Sequence, residues 1–408
     1  MRAYERLLNY VKIHTTSDEA SDTTPTTARQ FDLARLLVEE MKNLGVSDAR
    51  VDEHCYVYGT IPPTPGYENR PGIGFIAHLD TAPDFCGEHV NPQVIPDYDG
   101  GEVALGKSGK ILSPDTFPHL RELKGRTLIT TDGSTLLGAD DKAGVAEIMT
   151  LAEELLNGKE EHGKICIGFT PDEEVGGGAA LLDIPAFGAR FAYTVDGGCE
   201  REIEYENFNA CAATFTIRGV NIHPGDSKDK MINAALVAME INSLLPAAET
   251  PAHTEGYEGF FHLTSMEGSV EEAVLHYIIR DHSGAHFEAR QEMLRHIEKI
   301  LNEKYGAGTV TLKIRQQYRN MAEKLEPCMH LIDFAKEAIG ELGLEPDISP
   351  VRGGTDGAQL SYRGLPCPNL GTGGYAYHGP YEHITAEGMD TVVQVMHGIV
   401  RRYAKREI

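Results

Sequence analysis

Residues 72 to 80 read Gly-Ile-Gly-Phe-Ile-Ala-His-Leu-Asp, the pattern of a buried strand that breaks off in a histidine and a carboxylate. Successive side chains of a strand point to opposite faces, so His78 and Asp80 share a face. An imidazole beside a carboxylate at the carboxyl end of a core strand suits a metal ligand and the group that orients it. A hydrogen-bonded histidine at a strand end is the alternative, and the pair alone does not choose between them. Other strand ends decide the matter. Lys164 to Thr170 alternates like a half-buried strand and then gives Pro171-Asp172-Glu173-Glu174 before Gly176, Gly177 and Gly178. Phe191 to Val195 ends in Asp196-Gly197-Gly198. Between them, Gly138-Ala139-Asp140-Asp141-Lys142 opens a helix whose apolar residues Val145, Ile148, Met149, Ala152, Leu155 and Leu156 keep helical spacing until Asn157-Gly158. Asp140 is therefore expected near a helix N-terminus. Aspartates cap helices and acidic residues crowd loops, which would explain any one motif. Four of them, all where open α/β sheets place their sites, call for a functional reading.

At 408 residues the chain is long for one core, so two domains are expected. A net charge of −25 argues against nucleic acid and anionic membrane as partners, both of which need basic surfaces. The first residues carry no apolar leader pattern, and no later run is long enough to span a bilayer, so a cytoplasmic protein is expected. Seven cysteines, an odd number without Cys-x-x-Cys spacing, fit reduced thiols better than disulfides or a thiolate metal site.

The order of elements locates the second domain. A helix over Phe31 to Leu44 ends at Gly45, and the strand-loop-helix units above follow, the alternation of a sheet covered on both faces. After about Phe208 the pattern changes. Strands are expected near Ala212 to Arg218, Phe260 to Glu267, Val270 to Arg280 and Thr309 to Arg315, with helices near Met231 to Leu245 and Ala285 to Lys304. That is β-α-β-β-α-β, a ferredoxin-like α+β unit complete in itself. It is expected to occupy residues 208–318, inserted between 1–207 and 319–408. The first domain resumes with a helix over Leu331 to Leu342 and closes with one from about Thr385.

The resumed part holds Arg352-Gly353-Gly354-Thr355-Asp356-Gly357 and then Gly371-Thr372-Gly373-Gly374-Tyr375-Ala376-Tyr377-His378-Gly379, which offers a second histidine after a strand. His383 is a rival, and Gly379-Pro380 breaks any helix that would put both on one face. With Gly74 to Pro83, Leu137 to Gly144, Thr170 to Val175, Asp196-Gly197-Gly198, Thr254 to Phe260 and His276 to Asp281, these segments resemble the peptidase T family. Those tripeptide aminopeptidases stand among the two-zinc peptidases and deacylases that include acetylornithine deacetylase and succinyl-diaminopimelate desuccinylase. The resemblance runs through essentially the whole chain and implies a mixed-sheet α/β metallopeptidase catalytic domain carrying the inserted unit.

Carried over position by position, the resemblance makes Asp140 the carboxylate bridging two Zn²⁺ ions, with His78 and Asp196 completing one ligand set and Glu174 and His378 the other. Asp80 would orient His78, and Glu173 would be the general base for attack by a hydroxide shared between the metals. Two Zn²⁺, three carboxylates, neutral imidazoles and one hydroxide sum to zero charge. Cobalt or manganese are alternatives for such a ligand set. The resemblance also implies that His223, in Asn221-Ile222-His223-Pro224-Gly225, stabilises the oxyanion and that Arg280 clamps the peptide's carboxylate, with Arg352 another candidate for that contact. In relatives such a histidine can come from a partner subunit, so a homodimer is expected. The charged run Asp226-Ser227-Lys228-Asp229 departs from the family pattern. The expected activity is release of the N-terminal residue from tripeptides. The alternatives are a zinc deacylase or carboxypeptidase-like relative acting on N-acyl amino acids, and a non-catalytic metal-dependent peptide-binding protein.

Overall fold

The computed structural model describes residues 1–406. The chain forms two compact units. One comprises Met1–Tyr205, Glu323–Ser349 and the chain from Thr355 onward; the other comprises Glu206–Ala322 and Pro350–Gly354.

The first unit is built on an eight-stranded mixed sheet. Its strands lie in the order Ser47–Val51, Val57–Ile61, Ile165–Thr170, Ile73–His78, Phe191–Gly197, Asn369–Gly371, Glu202–Glu204 and Asp347–Ile348. The four central strands, Ile165–Thr170 to Asn369–Gly371, run parallel. Every residue of Ile73–His78 and Ile165–Thr170 is buried, as expected of parallel strands covered on both faces. Parallel pairing brings the carboxyl ends together: His78 is in register with Thr170, and Gly197 with Gly371. The helix Ala139–Asn157 packs on this sheet with fourteen of its residues buried. Gly144 makes that approach feasible. A Cβ there would lie 1.9 Å from the Val195 carbonyl oxygen and 2.5 Å from Asp141 Oδ1, so no other residue fits without separating helix and strand.

A smaller antiparallel sheet of Gly374–Tyr375, His383–Thr385, Leu128–Thr131 and Pro92–Ile95 also belongs to this unit. Strands of two to four residues are too short to show a period of two, and of these the sequence reading contains only a strand in the glycine-rich segment before His378, where Gly374–Tyr375 lies. His383, the rival to His378, is fully buried here. Its Nε2 lies 2.8 Å from His119 Nε2, and its Nδ1 donates to the Tyr381 carbonyl.

In the second unit four antiparallel strands lie in the order Phe260–Gly268, Glu272–Asp281, Asn209–Arg218 and Val310–Tyr318. Helices Ala234–Ser243 and Gly284–Tyr305 bury Val237, Ile241, Phe287, Leu294 and Ile297 against Phe215, Ile217, Leu275 and Tyr277 of the sheet. Connectivity and order are those of the ferredoxin-like split unit. The first helix is shorter than its apolar run. Asn233 caps it by accepting from Leu236 N at 3.2 Å, while Ile232 pairs with Val220 in an isolated bridge.

The segment Pro350–Gly354 corrects the sequence reading, which left it in the resumed first domain. Val351 N donates to the Glu206 carbonyl at 2.9 Å, and Arg352 engages the loop Thr254 to Glu258, so this stretch packs with the second unit. Among the described residues no helix is long and apolar enough to cross a membrane.

Candidate metal centre

The strand ends of the first unit gather His78, Asp80, Asp140, Glu173, Glu174, Asp196 and His378 in one place. Asp140 lies between two imidazoles: its Oδ1 is 2.9 Å from His78 Nε2, and its Oδ2 is 3.2 Å from His378 Nε2. Asp196 Oδ1 stands 3.4 Å from the same His78 nitrogen, and Glu174 Oε2 stands 3.0 Å from the same His378 nitrogen. One carboxylate thus faces two donor sets, His78 with Asp196 and His378 with Glu174.

Backbone geometry produces this. Asp140 precedes the regular turns of its helix, with φ −82° and ψ 103°, and follows Gly138 in the left-handed region. Its side chain therefore turns towards the strand ends. His378 follows the short strand Gly374–Tyr375 and itself has φ 61°, a conformation a bulky residue adopts only where its surroundings hold it. Asp84 Oδ2 lies 3.5 Å from its other ring nitrogen.

Asp80 is fully buried and works in three directions. Its Oδ1 accepts from Glu173 N at 3.0 Å and lies 3.3 Å from His78 Nδ1, and its Oδ2 accepts from Glu174 N at 3.3 Å. His78 Nδ1 also donates to the Asp80 carbonyl at 3.0 Å. A carbonyl only accepts, so the Nδ1 proton is fixed and Nε2 is the coordinating nitrogen. Asp141 is buried next to the group as well. Its Oδ2 accepts from His78 N at 3.0 Å and its Oδ1 from Gly144 N at 3.2 Å, so both oxygens brace the backbone around the site, within 4.8 Å of the His78 and Asp196 donors.

The electrostatics call for cations. Burial pushes the Asp196 and Glu174 carboxyls each up to about 7, and burial with the neighbouring Asp196 charge pushes Glu173 well above the carboxylate range. Hydrogen bonds to Asp140 and Glu174 raise His378 to about 11. Burial works against Asp140 ionising, but its contacts with His378 and His78 outweigh it and hold this carboxyl well below the usual range. Glu174 Oε1 is buried with no hydrogen-bond partner, a polar atom aimed at nothing the chain supplies. His78 with Asp141 and Asp196, and His78 with Asp140 and Glu174, bring their donor atoms within 4.8 Å of one another, a nitrogen-and-oxygen set that could hold a metal ion.

A model of the peptidase dimerisation domain of the M20 type matches residues 205–309. Peptidase T of Geobacillus kaustophilus is 54% identical over 404 residues, which span 98% of this chain and 98% of that protein. The chain belongs to the peptidase T family. It is accordingly a peptidase hydrolase of the metallo-aminopeptidase type. In fold it matches the aminopeptidase PepT of Bacillus cereus, with TM-score 0.79, 22% identity and coverage of 99% of this chain and 98% of that one. A tripeptidase from Staphylococcus aureus matches with TM-score 0.78, 20% identity and coverage of 99% and 98%. The YXEP protein of Bacillus subtilis, described as a dinuclear metal-binding peptidase of the M20 family, matches with TM-score 0.66, 16% identity and coverage of 98% and 98%.

The remaining candidates of this peptidase T family member lie in the second unit. His223 is exposed and caps the short turn after it, its Nδ1 accepting from Gly225 N at 3.1 Å, so Nε2 carries the proton and is a donor. Arg280 donates through Nη1 to the carbonyls of Ile279 and Cys211 at 3.0 and 3.3 Å and lies over the Tyr318 ring. Arg352 differs from its expected role. Nη1 donates to the carbonyls of Gly256 and Glu258 at 2.8 and 3.0 Å, and Nη2 to Thr254 O and Oγ1 at 3.3 and 3.0 Å. All four terminal N–H groups are committed to that loop, so Arg352 holds the loop and has no fork to offer a carboxylate.

Three buried carboxylates of the first unit escaped the sequence reading. Asp356 accepts from Thr170 Oγ1 and Ala179 N at 2.8 and 2.7 Å and sits where a Cβ on Gly178 would clash, fixing the far end of the Glu173-Glu174 loop. Asp172 accepts from Thr26 N and from Gln30 Nε2 at 2.6 Å, tying that loop to the N-terminal segment. Glu382 accepts from the backbone on both sides of Ala139. Each is separated from its partners by more than 140 residues, so no local pattern marks it.

Proposed function

We propose that the protein is a two-zinc aminopeptidase that releases the N-terminal residue of tripeptides, acting in the cytoplasm as a homodimer. The placement of Asp140, with one oxygen towards each imidazole, carries this reading, and the unpartnered Glu174 Oε1 supports it. His78, Asp196 and one oxygen of Asp140 would hold one ion; His378, Glu174 and the other oxygen would hold the second. Such a pair supplies Lewis acidity and lowers the pKa of a water between the ions.

The chain supplies the rest. Glu173 belongs to neither ligand set, and among the described residues its carboxylate has no hydrogen-bond or ion-pair partner. Its backbone is pinned through Asp80 while the side chain remains available, the arrangement needed for a group that takes the proton of the attacking water and passes it to the leaving amine. From the second unit we assign His223 Nε2–H as donor to the developing oxyanion and the Nε and Nη2 edge of Arg280, which has no hydrogen-bond acceptor among the described residues, to the peptide's carboxylate. Peptide length follows the tripeptidase and peptidase T relatives.

Seven free cysteines fit a reducing compartment. The dimer is supported by the matched dimerisation domain and by the helix Ala234–Ser243, which exposes Leu236 and Met239 at 62% and 60%. Metal analysis beside turnover of a tripeptide and of its N-acetylated form tests the proposal. Two ions per chain and preference for the free amine are expected; preference for the acetylated peptide, or full activity with less than one ion, overturns it.

A further inference from the structure

Asp140 owes its position to a residue 242 positions away. The helix it opens has no cap of its own: Gly138 offers no side chain, and Asp140 and Asp141 lie outside helical geometry. The donors of such an opening turn have no intrahelical partners. Glu382 satisfies three backbone N–H groups at once, Oε2 accepting from Leu137 N and Gly138 N at 2.7 and 2.8 Å and Oε1 from Asp140 N at 3.0 Å. It is 1% exposed, and among the described residues its carboxylate hydrogen-bonds to these three N–H groups alone. Its charge lies at the positive end of a 19-residue helix and within electrostatic reach of the fully buried Lys142, whose Nζ donates to the Ile13 carbonyl at 2.7 Å. A buried carboxyl group receiving three N–H groups from the segment that presents Asp140 does more than fill space.

We infer that Glu382 is a positioning residue for the metal centre: it caps, from the residue before the strand His383–Thr385, the loop Leu137 to Asp140 and so fixes the direction in which Asp140 offers one oxygen to each ion. The inference rests on the two-metal reading above. Partners that orient a ligand are typically worth 10- to 100-fold in metal affinity. Glu382→Gln keeps the volume but removes the charge and turns an N–H donor towards backbone N–H groups, so one carboxylate-held contact becomes repulsive.

The test is titration of wild-type and Glu382→Gln protein with Zn²⁺ against a chromophoric chelator, with the visible spectrum of the Co²⁺-loaded forms and circular dichroism to establish folding. Glu382→Gln is expected to be folded, to bind metal roughly 10- to 100-fold more weakly, to give an altered Co²⁺ spectrum, and to lower kcat with KM nearly unchanged. Wild-type affinity and an unchanged spectrum in the folded variant overturn the inference alone. Should Glu382→Gln not fold, Glu382→Asp, which retains the charge but draws it back by one methylene, is expected to weaken metal binding about 3- to 10-fold, and undiminished affinity refutes the inference. Failure of the wild-type protein to bind two ions overturns the two-metal reading itself, and this inference with it.

Discussion

Replacing Asp80 by alanine separates two effects that the sequence alone runs together. The carboxylate contacts His78 Nδ1 at 3.3 Å, but the main-chain carbonyl of the same residue is nearer, at 3.0 Å, and survives the substitution. The imidazole therefore keeps its tautomer and most of its orientation, and the loss of metal affinity should be near the lower end of what an orienting partner contributes, about tenfold or 1.4 kcal/mol. The glutamate loop fares worse. Glu173 N and Glu174 N both lose their acceptor in a buried setting, at 1 to 3 kcal/mol for each if nothing replaces it and about 2 to 4 kcal/mol in total once water enters the vacated space. Glu173 then loses the backbone anchor that aims its carboxylate. A displacement of about 1 Å in a catalytic group costs roughly 10²-fold in rate. The variant saturated with Zn²⁺ should accordingly bind metal about tenfold more weakly, yet turn over tripeptide about 100-fold more slowly, as read by chelator competition and steady-state kinetics under metal excess. Loss of metal by 10³-fold or more with a near-normal rate in the reloaded protein would show that Asp80 acts through His78 and not through the loop.

Glu173→Gln should retain both ions and lower kcat by at least 10²-fold, and an undiminished rate would remove Glu173 from the proton path. Leu236→Glu combined with Met239→Glu should shift the protein from dimer to monomer in light scattering, because two side chains more than half exposed in the isolated chain would carry charge into the proposed interface; an unchanged mass would place the contact elsewhere. Glu204, outside the proposed ligand sets but joined to Asp196 through Asn369, gives a pH test. Burial, and then the neighbouring Glu202, raise its carboxyl to about 8, so the folded state favours the protonated form and stability falls as pH rises from the ordinary carboxylate value towards 8. Glu204→Gln, which still offers Asn369 an acceptor, should be nearly neutral at pH 5 and stabilising by on the order of 1 to 3 kcal/mol at pH 9, and a difference in thermal midpoint that does not vary with pH would contradict this.

Most of the residues that cluster in the first unit share one property that sequence displays: they follow an apolar run or open an apolar helix, whereas His378 follows a glycine-rich segment. His78, Asp140, Glu173, Glu174 and Asp196 could be picked out because hydrophobic periodicity stops where they begin, and parallel pairing of the central strands then brings the stops together. Glu382, Asp356 and Asp172 have the opposite character. They accept from backbone N–H groups of loops far away in the chain, and a backbone N–H has no residue type to read. Arg352 shows the same blindness in reverse, since an arginine in a glycine-rich run looks unattached until the carbonyls of Thr254, Gly256 and Glu258 are seen around it. The inserted ferredoxin-like unit was legible because its strands of nine and ten residues are long enough to alternate, whereas most of the two- to four-residue strands of the small sheet were not.

Gly144, which lets the helix Ala139–Asn157 lie against the Val195 carbonyl, makes the two halves of the proposed centre unequal in stiffness. His78 and Asp196 end paired strands in the interior, next to that close-packed crossing, and the His78 side chain is only 2% exposed. His378 belongs to a loop and is 46% exposed. Should ions occupy both sets, those of different radius cannot be accommodated by moving close-packed strands, so the adjustment would fall on the exposed His378, Glu174 itself being only 5% exposed. Exchange should begin there too, leaving a singly loaded form whose remaining ion rests on His78 and Asp196.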